Sequence, residues 1–227
     1  MISFKGAHYP RDVILFGVFF YVRYPVSYRD LEEIMAERGV IVDHSTLNRW
    51  VVRYSPLIAA EAHKRKTPTA KSWRMDETYI KVKGKWVYLY RAVDKHGQTL
   101  DFMLSETRDE AAATEFFAQT VASNGWPDRV VIDKSGANNA GLENMNLLLA
   151  LSGWCWLIEV LQVKYLNNIV EQDHRFIKRI TRQMKGFKSF DAAAATLAGI
   201  ETAHMIRKDQ FDTAGKPAFE QFAALAA

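Results

Sequence analysis

The first quarter of the chain has apolar residues at helical spacing. Positions three or four apart are apolar in three successive segments, which predicts helices at about residues 11–24, 27–38 and 43–54. Ser27 is a good helix N-cap, and Asp30, three residues later, completes the pattern of a capping box. This part of the chain is therefore predicted to be helical throughout.

A different period begins after residue 71. Residues 73–82 and 85–93 alternate between apolar and polar, and they flank Lys83-Gly84, a pair that favours a tight hairpin turn. Residues 99–105 alternate in the same way. These three segments predict an antiparallel meander.

Helical and strand patterns alternate through the remainder of the chain. In order, they predict a helix near 109–123, a strand at 129–133, helical residues within 137–151, a strand near 156–163, and helices near 168–184 and 190–207. Three antiparallel strands, followed by two that alternate with helices, predict an α/β fold with a mixed five-stranded sheet and flanking helices.

The change of period coincides with a polar, basic connector. We therefore predict four parts: an all-α domain at residues 1–60, a basic linker at 61–71, an α/β domain at 72–210 and a C-terminal tail at 211–227.

Composition favours a folded protein over a disordered or membrane-spanning one. Of the 227 residues, 48% are hydrophobic and 25% are charged. The longest uncharged stretch, around residues 145–158, is shorter than the roughly 18 to 20 apolar residues that a spanning helix needs. The single cysteine, Cys155, excludes an internal disulfide and any multi-cysteine metal site, which fits a reducing cytoplasm.

The third predicted helix has the composition of a helix that reads DNA. Leu47, Trp50, Val51 and Tyr54 recur at i, i+3, i+4 and i+7 and form one apolar face. Polar and basic residues lie at its start or on its open side: His44, Ser45, Thr46, Asn48, Arg49 and Arg53. Two short helices joined by a turn with glycine are typical of a helix-turn-helix, whose second helix enters the major groove. An ordinary helical subdomain with a solvated face remains the alternative.

Three acidic residues fall where a mixed sheet can bring them together. Asp76 lies inside the first predicted strand, Asp133 closes the fourth, and Glu171 lies near the start of the helix after the fifth. Carboxylates from separate elements suit Mg²⁺ or Mn²⁺ rather than zinc. Three of them can hold two ions, which stabilise both oxygens of an in-line phosphoryl displacement. Glu77 points to the opposite face of the strand from Asp76, and spacing alone does not choose between them.

The helix that carries Glu171 also carries basic residues. Glu171, His174, Arg175 and Lys178 are spaced i, i+3, i+4 and i+7 and are predicted to share one face, whereas Asp173 points elsewhere. Such a face can bind a metal ion at one end and a DNA phosphate at the other. The alternative is a surface helix with charge pairs.

Basic residues concentrate around these candidate sites. Lys and Arg outnumber acids nine to three between residues 61 and 91 and seven to two between 164 and 190, although the whole chain carries only +4. This distribution favours a polyanionic partner. The aromatic residues in or beside these segments belong to the strand core or stack on unpaired bases: Trp73, Trp86, Tyr88, Tyr90 and Tyr165.

Several segments form long composite motifs. The longest are residues 73–82 (WRMDETYIKV), 86–94 (WVYLYRAVD) and 164–175 (KYLNNIVEQDHR), and shorter ones are 4–6, 11–12, 186–189 and 199–201. Together they resemble bacterial insertion-sequence transposases with a DDE acidic triad, most of all those of the insertion sequence six family. The resemblance covers nearly the whole chain.

The resemblance implies a ribonuclease H-like catalytic domain preceded by a helix-turn-helix. It assigns Asp76, rather than Glu77, as the first metal ligand, Asp133 as the second and Glu171 as the third. Lys178, seven positions after the glutamate, corresponds to a basic residue that contacts the DNA end in this class.

The resemblance also implies an activity and its partners. The implied reaction is metal-dependent cleavage at an element end, after which the freed 3′-hydroxyl attacks target DNA, with Mg²⁺ or Mn²⁺, two ions in all, as cofactor. The implied partners are the terminal inverted repeats, the target DNA and further copies of the chain, as a homodimer or higher oligomer, in the bacterial cytoplasm at the nucleoid. Arg175 and Lys178 are expected to contact DNA, and no membrane partner is expected.

A second function remains open. Asp133 and Glu171 are 171 − 133 = 38 positions apart, longer than the spacing in similar transposases, and Leu161 lies where a basic residue is usual. The alternative is therefore a DNA-binding regulator that keeps the helix-turn-helix but has lost catalysis. A nucleotide-dependent enzyme is not supported, because the sequence has no phosphate-binding Gly-x-x-x-x-Gly-Lys-Ser/Thr motif.

Overall fold

The structure is a computed structural model that describes residues 2–132, 142–143, 146, 157–163, 167–213 and 215–227. Several predictions fall outside these residues: the carboxylate of Asp133, most of the helix at 137–151, the start of the strand at 156–163, and Tyr165.

The described elements follow the predicted order. The helices are α1 Arg11–Arg23, α2 Tyr28–Glu37, α3 His44–Arg65, α4 Glu110–Asn124, α5 Asn168–Gln183, α6 Phe190–Arg207 and α7 Ala218–Leu225. The strands are β1 Ser72–Val82, β2 Lys85–Asp94, β3 Thr99–Ser105, β4 Arg129–Ile132 and β5 Glu159–Gln162. Among these described helices, none is both long and apolar enough to cross a bilayer.

The five strands form one mixed sheet in the order β3-β2-β1-β4-β5. Strand β2 pairs antiparallel with β3, whereas β4 pairs in parallel with both β1 and β5. The turn between β1 and β2 has positive φ at Lys83 and at Gly84 (49° and 79°), the backbone that a two-residue hairpin with matched twist requires. This topology confirms the predicted ribonuclease H-like mixed sheet with flanking helices.

The contacts divide the chain into two compact units. One consists of residues 1–67, 82–84 and 176–227, and the other of residues 68–81 and 85–175. Helix α5 passes from the second unit to the first after Arg175. The division at 67/68 falls inside the predicted linker, whereas helices α6 and α7 group with the N-terminal helices rather than with the sheet.

In the sheet unit, one face of the sheet is covered by α4. Strand residues that alternate toward this helix form a buried cluster with it: Trp73, Met75, Tyr90, Ala92, Val130 and Ile132 pack with Phe116 and Phe117. Because neighbouring residues of a strand point to opposite faces, the residues between them face the other side of the sheet.

The helical unit is built around α3. This helix packs against α1 and α6 and continues to Arg65, eleven residues past the predicted end, so the first part of the predicted linker is helical. The apolar face continues with it, because Ile58 and Ala62 are as buried as Leu47 and Tyr54. Pro56 lies within α3 and does not end the helix.

A glycine permits a close contact between three helices in this unit. A methyl group at Gly199 of α6 would lie 2.7 Å from Ser55 Oγ of α3 and 2.7 Å from Val22 Cγ1 of α1. Both distances are shorter than van der Waals contact, so the three helices approach as closely as they do only because position 199 has no side chain.

We predict that Gly199→Ala destabilises the helical unit by about 1 to 3 kcal/mol through overpacking, despite the better helix propensity of alanine. The control is Gly17→Ala in α1, where the added methyl would lie 3.2 Å from the flexible end of Leu47. Thermal unfolding followed by circular dichroism should show a midpoint lowered by several degrees for the first variant and a smaller change for the second. Equal midpoints would contradict the close-contact explanation.

Candidate active site and DNA-reading helix

Asp76 and Glu77 lie on opposite faces of β1, as predicted. Glu77 shares the face of Trp73 and Met75, which α4 covers. It forms an ion pair with Arg108, and its side chain is only 3% exposed. Asp76 lies on the other face, within 3.9 Å of His174 on α5 (Oδ2 to Nε2). The two neighbouring acids therefore have separate surroundings.

Glu77 is part of a buried charge arrangement. Burial alone lowers the pKa of the Arg108 guanidinium, but the charge of Glu77 and their hydrogen bond raise it, so that the net pKa lies above its usual value. Burial, followed by the charges of Glu77 and Asp109, raises the pKa of Tyr90 to about 12. Arg108 thus neutralises Glu77, which accounts for a buried acid without a metal.

The start of α5 is held against β1. Asn167, the residue just before the helix, donates a hydrogen bond from Nδ2 to the carbonyl oxygen of Met75 at 3.3 Å, and its side chain is buried. His174, two turns later, is also buried and reaches Asp76. The segment of β1 around Asp76 and the segment of α5 around Glu171 are therefore in direct contact, through Asn167 with Met75 and His174 with Asp76.

A buried ion pair fixes α5 on β2. Arg91 NH2 lies 2.6 Å from Asp173 Oδ2, with 1% and 10% of the two side chains exposed. Separating two opposite charges in a low-dielectric interior is costly, so an ion pair that is this little exposed to solvent holds its two side chains in one arrangement. Asp173 is two residues from Glu171, so this pair orients the helix that carries the third predicted acid.

Three of the four residues on the predicted common face of α5 are exposed to solvent. Glu171, Arg175 and Lys178 are exposed, whereas His174 is 4% exposed and points inward to Asp76. The burial of His174 does not move it off this face, because side chains three residues apart on a helix remain neighbours. Asp173, which the sequence analysis placed away from this face, anchors the helix to β2 through its ion pair with Arg91.

Strand β4 approaches the site from the other side of β1. In the parallel register, Met75 lies opposite Ile132, and Asp133, the next residue, lies outside the described residues. Within the part of the chain that the structure describes, no group of three His, Cys, Asp or Glu side chains is placed to hold a metal ion. At this site, the contacts that the structure describes are therefore those between β1, at Asp76, and α5, the helix that carries Glu171.

The N-terminal helices α2 and α3 begin with side-chain caps, and the cap of α2 is the predicted one. Ser27 and Asp30 form a full capping box at α2, and Asp43 accepts backbone hydrogen bonds from Ser45 (2.9 Å) and Thr46 (3.1 Å) at the start of α3. The side chains of Ser45 and Thr46 also donate to Asp43, and these hydrogen bonds hold its pKa well below the usual range. The predicted apolar face of α3 is buried.

The predicted base-reading residues differ in their freedom to reach DNA. Arg49 and Arg53 are exposed, and the Arg49 guanidinium is hydrogen-bonded to Thr46 Oγ1 at 2.6 Å. His44 Nδ1 lies 3.0 Å from Glu32 of α2. Asn48 is half-buried beside Tyr28, whose pKa is raised to about 12, mainly by burial. Arg49 and Arg53 are therefore the exposed cations of this set that can contact DNA, although Thr46 already holds Arg49.

Sequence reasoning missed Arg91, Asp173 and Asn167. Arg91 lies in an apolar strand segment, where a lone arginine indicates a buried partner because charges are almost never fully buried alone. That signal was present, but the identity of the partner required the fold.

The comparisons with known proteins place the chain in a family. Residues 70–210 match a family model described as a DDE domain. The transposase for insertion sequence-like element IS431mec of Staphylococcus aureus is 41% identical over 209 residues, which is 92% of this chain and 90% of that protein. The transposase for insertion sequence element IS257 in transposon Tn4003 of S. aureus is 40% identical over 209 residues, which is again 92% of this chain and 90% of that protein.

Two solved structures are similar at a lower level. The catalytic core domain of HTLV-2 integrase in complex with magnesium is 16% identical with a TM-score of 0.47, covering 69% of this chain and 98% of that one. The catalytic core domain of BIV integrase is 16% identical with a TM-score of 0.46, covering 68% and 95%.

The matched DDE domain and the two relatives that align over most of the chain identify this protein as a DDE transposase. Enzymes of this class cleave and join DNA strands. This chain belongs to the insertion sequence six family of those enzymes, as the sequence motifs predicted.

We predict that the buried ion pair on α5 is far more important for stability than an exposed pair of equal length. Arg129 and Glu159 are also 2.6 Å apart, but about half of each side chain is exposed. Arg91→Met should cost about 3 to 5 kcal/mol because it removes the opposite charge from the buried Asp173 carboxylate. Arg129→Met should cost at most about 1 kcal/mol.

Urea unfolding of the two variants measures the difference directly. A double variant, Arg91→Met with Asp173→Asn, should recover part of the loss because no lone buried charge remains. Equal losses for Arg91→Met and Arg129→Met would show that burial does not govern these pairs.

Proposed function

We propose that this transposase binds the ends of its element and catalyses metal-dependent cleavage and strand transfer through Asp76, Asp133 and Glu171. The main support for this proposal is the distance of 3.9 Å between His174 Nε2 and Asp76 Oδ2. Glu171 lies one turn before His174 on α5, and side chains three residues apart on a helix have Cβ atoms about 5 to 6 Å apart. The first and third acids therefore have neighbouring attachment points.

The strand pairing supports Asp133 as the second acid. Met75 and Ile132, the residues that directly precede Asp76 and Asp133 in the sequence, are partners in the parallel register. Val130 and Ile132 belong to the cluster under α4, and we propose that Asp133, the next residue in the sequence, is the second ligand.

The donor set fits Mg²⁺ or Mn²⁺. Asp76 remains 19% exposed and Glu171 is exposed, so both carboxylates are open to solvent on the α5 side, and hard oxygen ligands suit these cations. Asp76, Asp133 and Glu171 would hold the metal, and we propose two ions. When bound, they would supply the charge that stabilises the attacking and leaving oxygens at phosphorus.

Exposed basic residues on α5 are proposed to position the DNA end. Arg175 and Lys178 are exposed one and two turns after Glu171, and each can hold a phosphate as an ion pair. They would align the scissile phosphodiester with the acids, which supplies orientation rather than proton transfer. His174, packed on Asp76, would keep that carboxylate in place.

Recognition of the element ends is assigned to the helix-turn-helix of α2 and α3. In this arrangement, the N-terminal residues of the second helix reach base edges in the major groove. Of the predicted readers, Arg49 and Arg53 project from α3, whereas Ser45 and Thr46 are engaged with Asp43. We propose that the arginines contact DNA and that the other polar residues shape the helix start.

The remaining expectations follow from this function. The partners are the terminal inverted repeats, the target DNA and further copies of the chain, because two element ends must be joined in one complex. The place of action is the bacterial nucleoid.

We predict that Asp76→Asn, Asp133→Asn and Glu171→Gln each abolish cleavage and strand transfer while leaving binding to end DNA largely intact. Each change removes a metal-holding charge and keeps the side-chain shape. The measurement is gel analysis of labelled end DNA incubated with Mg²⁺ and, separately, with Mn²⁺. The matched control is Glu77→Gln, on the other face of β1, whose effect should be on stability.

Full activity in any one of the three variants would remove that residue from the triad. Specific end binding by the wild-type chain with no cleavage in either metal would instead favour the DNA-binding regulator.

We predict that Arg49→Ala lowers discrimination between end DNA and random DNA by about 1 to 3 kcal/mol, the value of a good bidentate base contact. Arg29→Ala, at an exposed position on α2, should affect both DNAs equally or not at all. Competition binding at constant salt measures the ratio. An equal loss on both DNAs for Arg49→Ala would make Arg49 a phosphate contact.

A further inference from the structure

Strands β1 and β2 carry an exposed group of aromatic and basic side chains, which we call the aromatic patch. It consists of the exposed Tyr79, Trp86 and Lys81, the half-buried Tyr88, and Arg108, which lies just before α4. Trp86 is 60% exposed and Tyr79 is 48% exposed. Exposed aromatic rings of this size are costly to leave in water, so a cluster of them indicates a surface with a partner.

The rings of the patch are already arranged with respect to one another. The Tyr79 ring lies 6.4 Å from the Trp86 ring in an edge-to-face arrangement and 5.4 Å from the Tyr88 ring. Lys81 Nζ lies 5.8 Å from the centre of the Trp86 ring. This preorganisation means that a planar ligand meets rings that need not be immobilised first.

The patch lies on the α4 side of the sheet, away from Asp76. Residues 73, 75 and 77 of β1 face α4, and strand alternation places Tyr79 and Lys81 on that same face. Trp73 and Tyr90, on this face, are 1% exposed and belong to the core. Of the two roles considered for the strand aromatics, Trp73 and Tyr90 therefore have the core role, and the exposed rings take no part in the triad.

The charges at the patch favour a polyanion. Lys81 is exposed, and Arg108, although Glu77 balances its charge, is 38% exposed and can still donate hydrogen bonds to a phosphate. The acid beside Arg108, Glu77, is 3% exposed, so it is covered while the guanidinium reaches the surface. Flat rings beside cations are the combination with which proteins hold unpaired bases, because the rings stack on bases and the cations bind phosphates.

We propose that the aromatic patch binds single-stranded DNA by stacking of unpaired bases on Trp86 and Tyr79. The inference rests on the proposed function in one respect, that DNA is the substrate. It adds a second DNA surface, which would hold a strand that has been separated from its complement near the reacting ends.

The test is the affinity of the full chain for a fluorescently labelled oligothymidylate, measured by anisotropy at constant salt. Trp86→Ala should weaken binding about 5-fold to 100-fold, the range for losing one base–aromatic stack. Trp86→Phe should recover much of that loss because a ring remains. The matched control is Trp126→Ala, at another exposed tryptophan (39%) outside the patch, which should bind as the wild type does.

Two further measurements assign the contact. Oligothymidylate with 5-iodouracil should crosslink to the tryptic peptide 86–91 on irradiation, and Trp86→Ala should lose this crosslink. Affinity for duplex end DNA should be unchanged in Trp86→Ala, because recognition of the duplex is assigned to α3.

Unchanged oligothymidylate binding by Trp86→Ala would overturn the proposal. So would a shift of that variant from oligomer to monomer in sedimentation without a change in affinity, since the patch would then be an interface between copies of the chain. Failure of the proposed function is separately visible, because the wild-type chain would not cleave end DNA whatever the result with oligothymidylate.

Discussion

The attachment of α5 to the sheet is the constraint on which the candidate site depends. An acid at the start of a helix has no fixed relation to an acid in a strand unless the helix is held in position and rotation. Here Asn167 holds the start of the helix on Met75, Arg91 pairs with Asp173 at 2.6 Å, and His174 packs on Asp76. These contacts involve residues on both sides of Glu171, so they fix its direction.

Strand alternation separates the two roles of β1. One face of the strand contributes Trp73 and Met75 to the core and then Tyr79 to the exposed aromatic patch, and the other contributes Asp76 to the α5 side. Glu77, one residue from Asp76, is neutralised by Arg108 on the core side. A single strand thereby contributes to the core, supplies a candidate metal ligand and supplies a candidate stacking surface, and it keeps their charges on separate faces.

Much of this fold is predictable from sequence because its signals are local. The capping box at Ser27, the hairpin turn at Lys83-Gly84 and the limits of α6 follow from nearby residues, and the structure confirms them. The inward position of His174 and the pairing of Arg91 with Asp173 were not predictable, because each depends on a partner more than 80 residues away. The grouping of α6 with α3 likewise needs tertiary contacts, among them the close approach at Gly199.

The central claim is that Asp76, Asp133 and Glu171 converge on one divalent metal site. Fe²⁺ substituted for Mg²⁺ tests it most directly, since with ascorbate and peroxide the bound iron cuts the nearby backbone, and the fragments can be mapped by mass spectrometry. We predict cuts close to all three residues, suppressed by excess Mg²⁺ and absent in Asp76→Asn. Cuts confined to one of the three segments, or unaffected by excess Mg²⁺, would contradict convergence of the three acids.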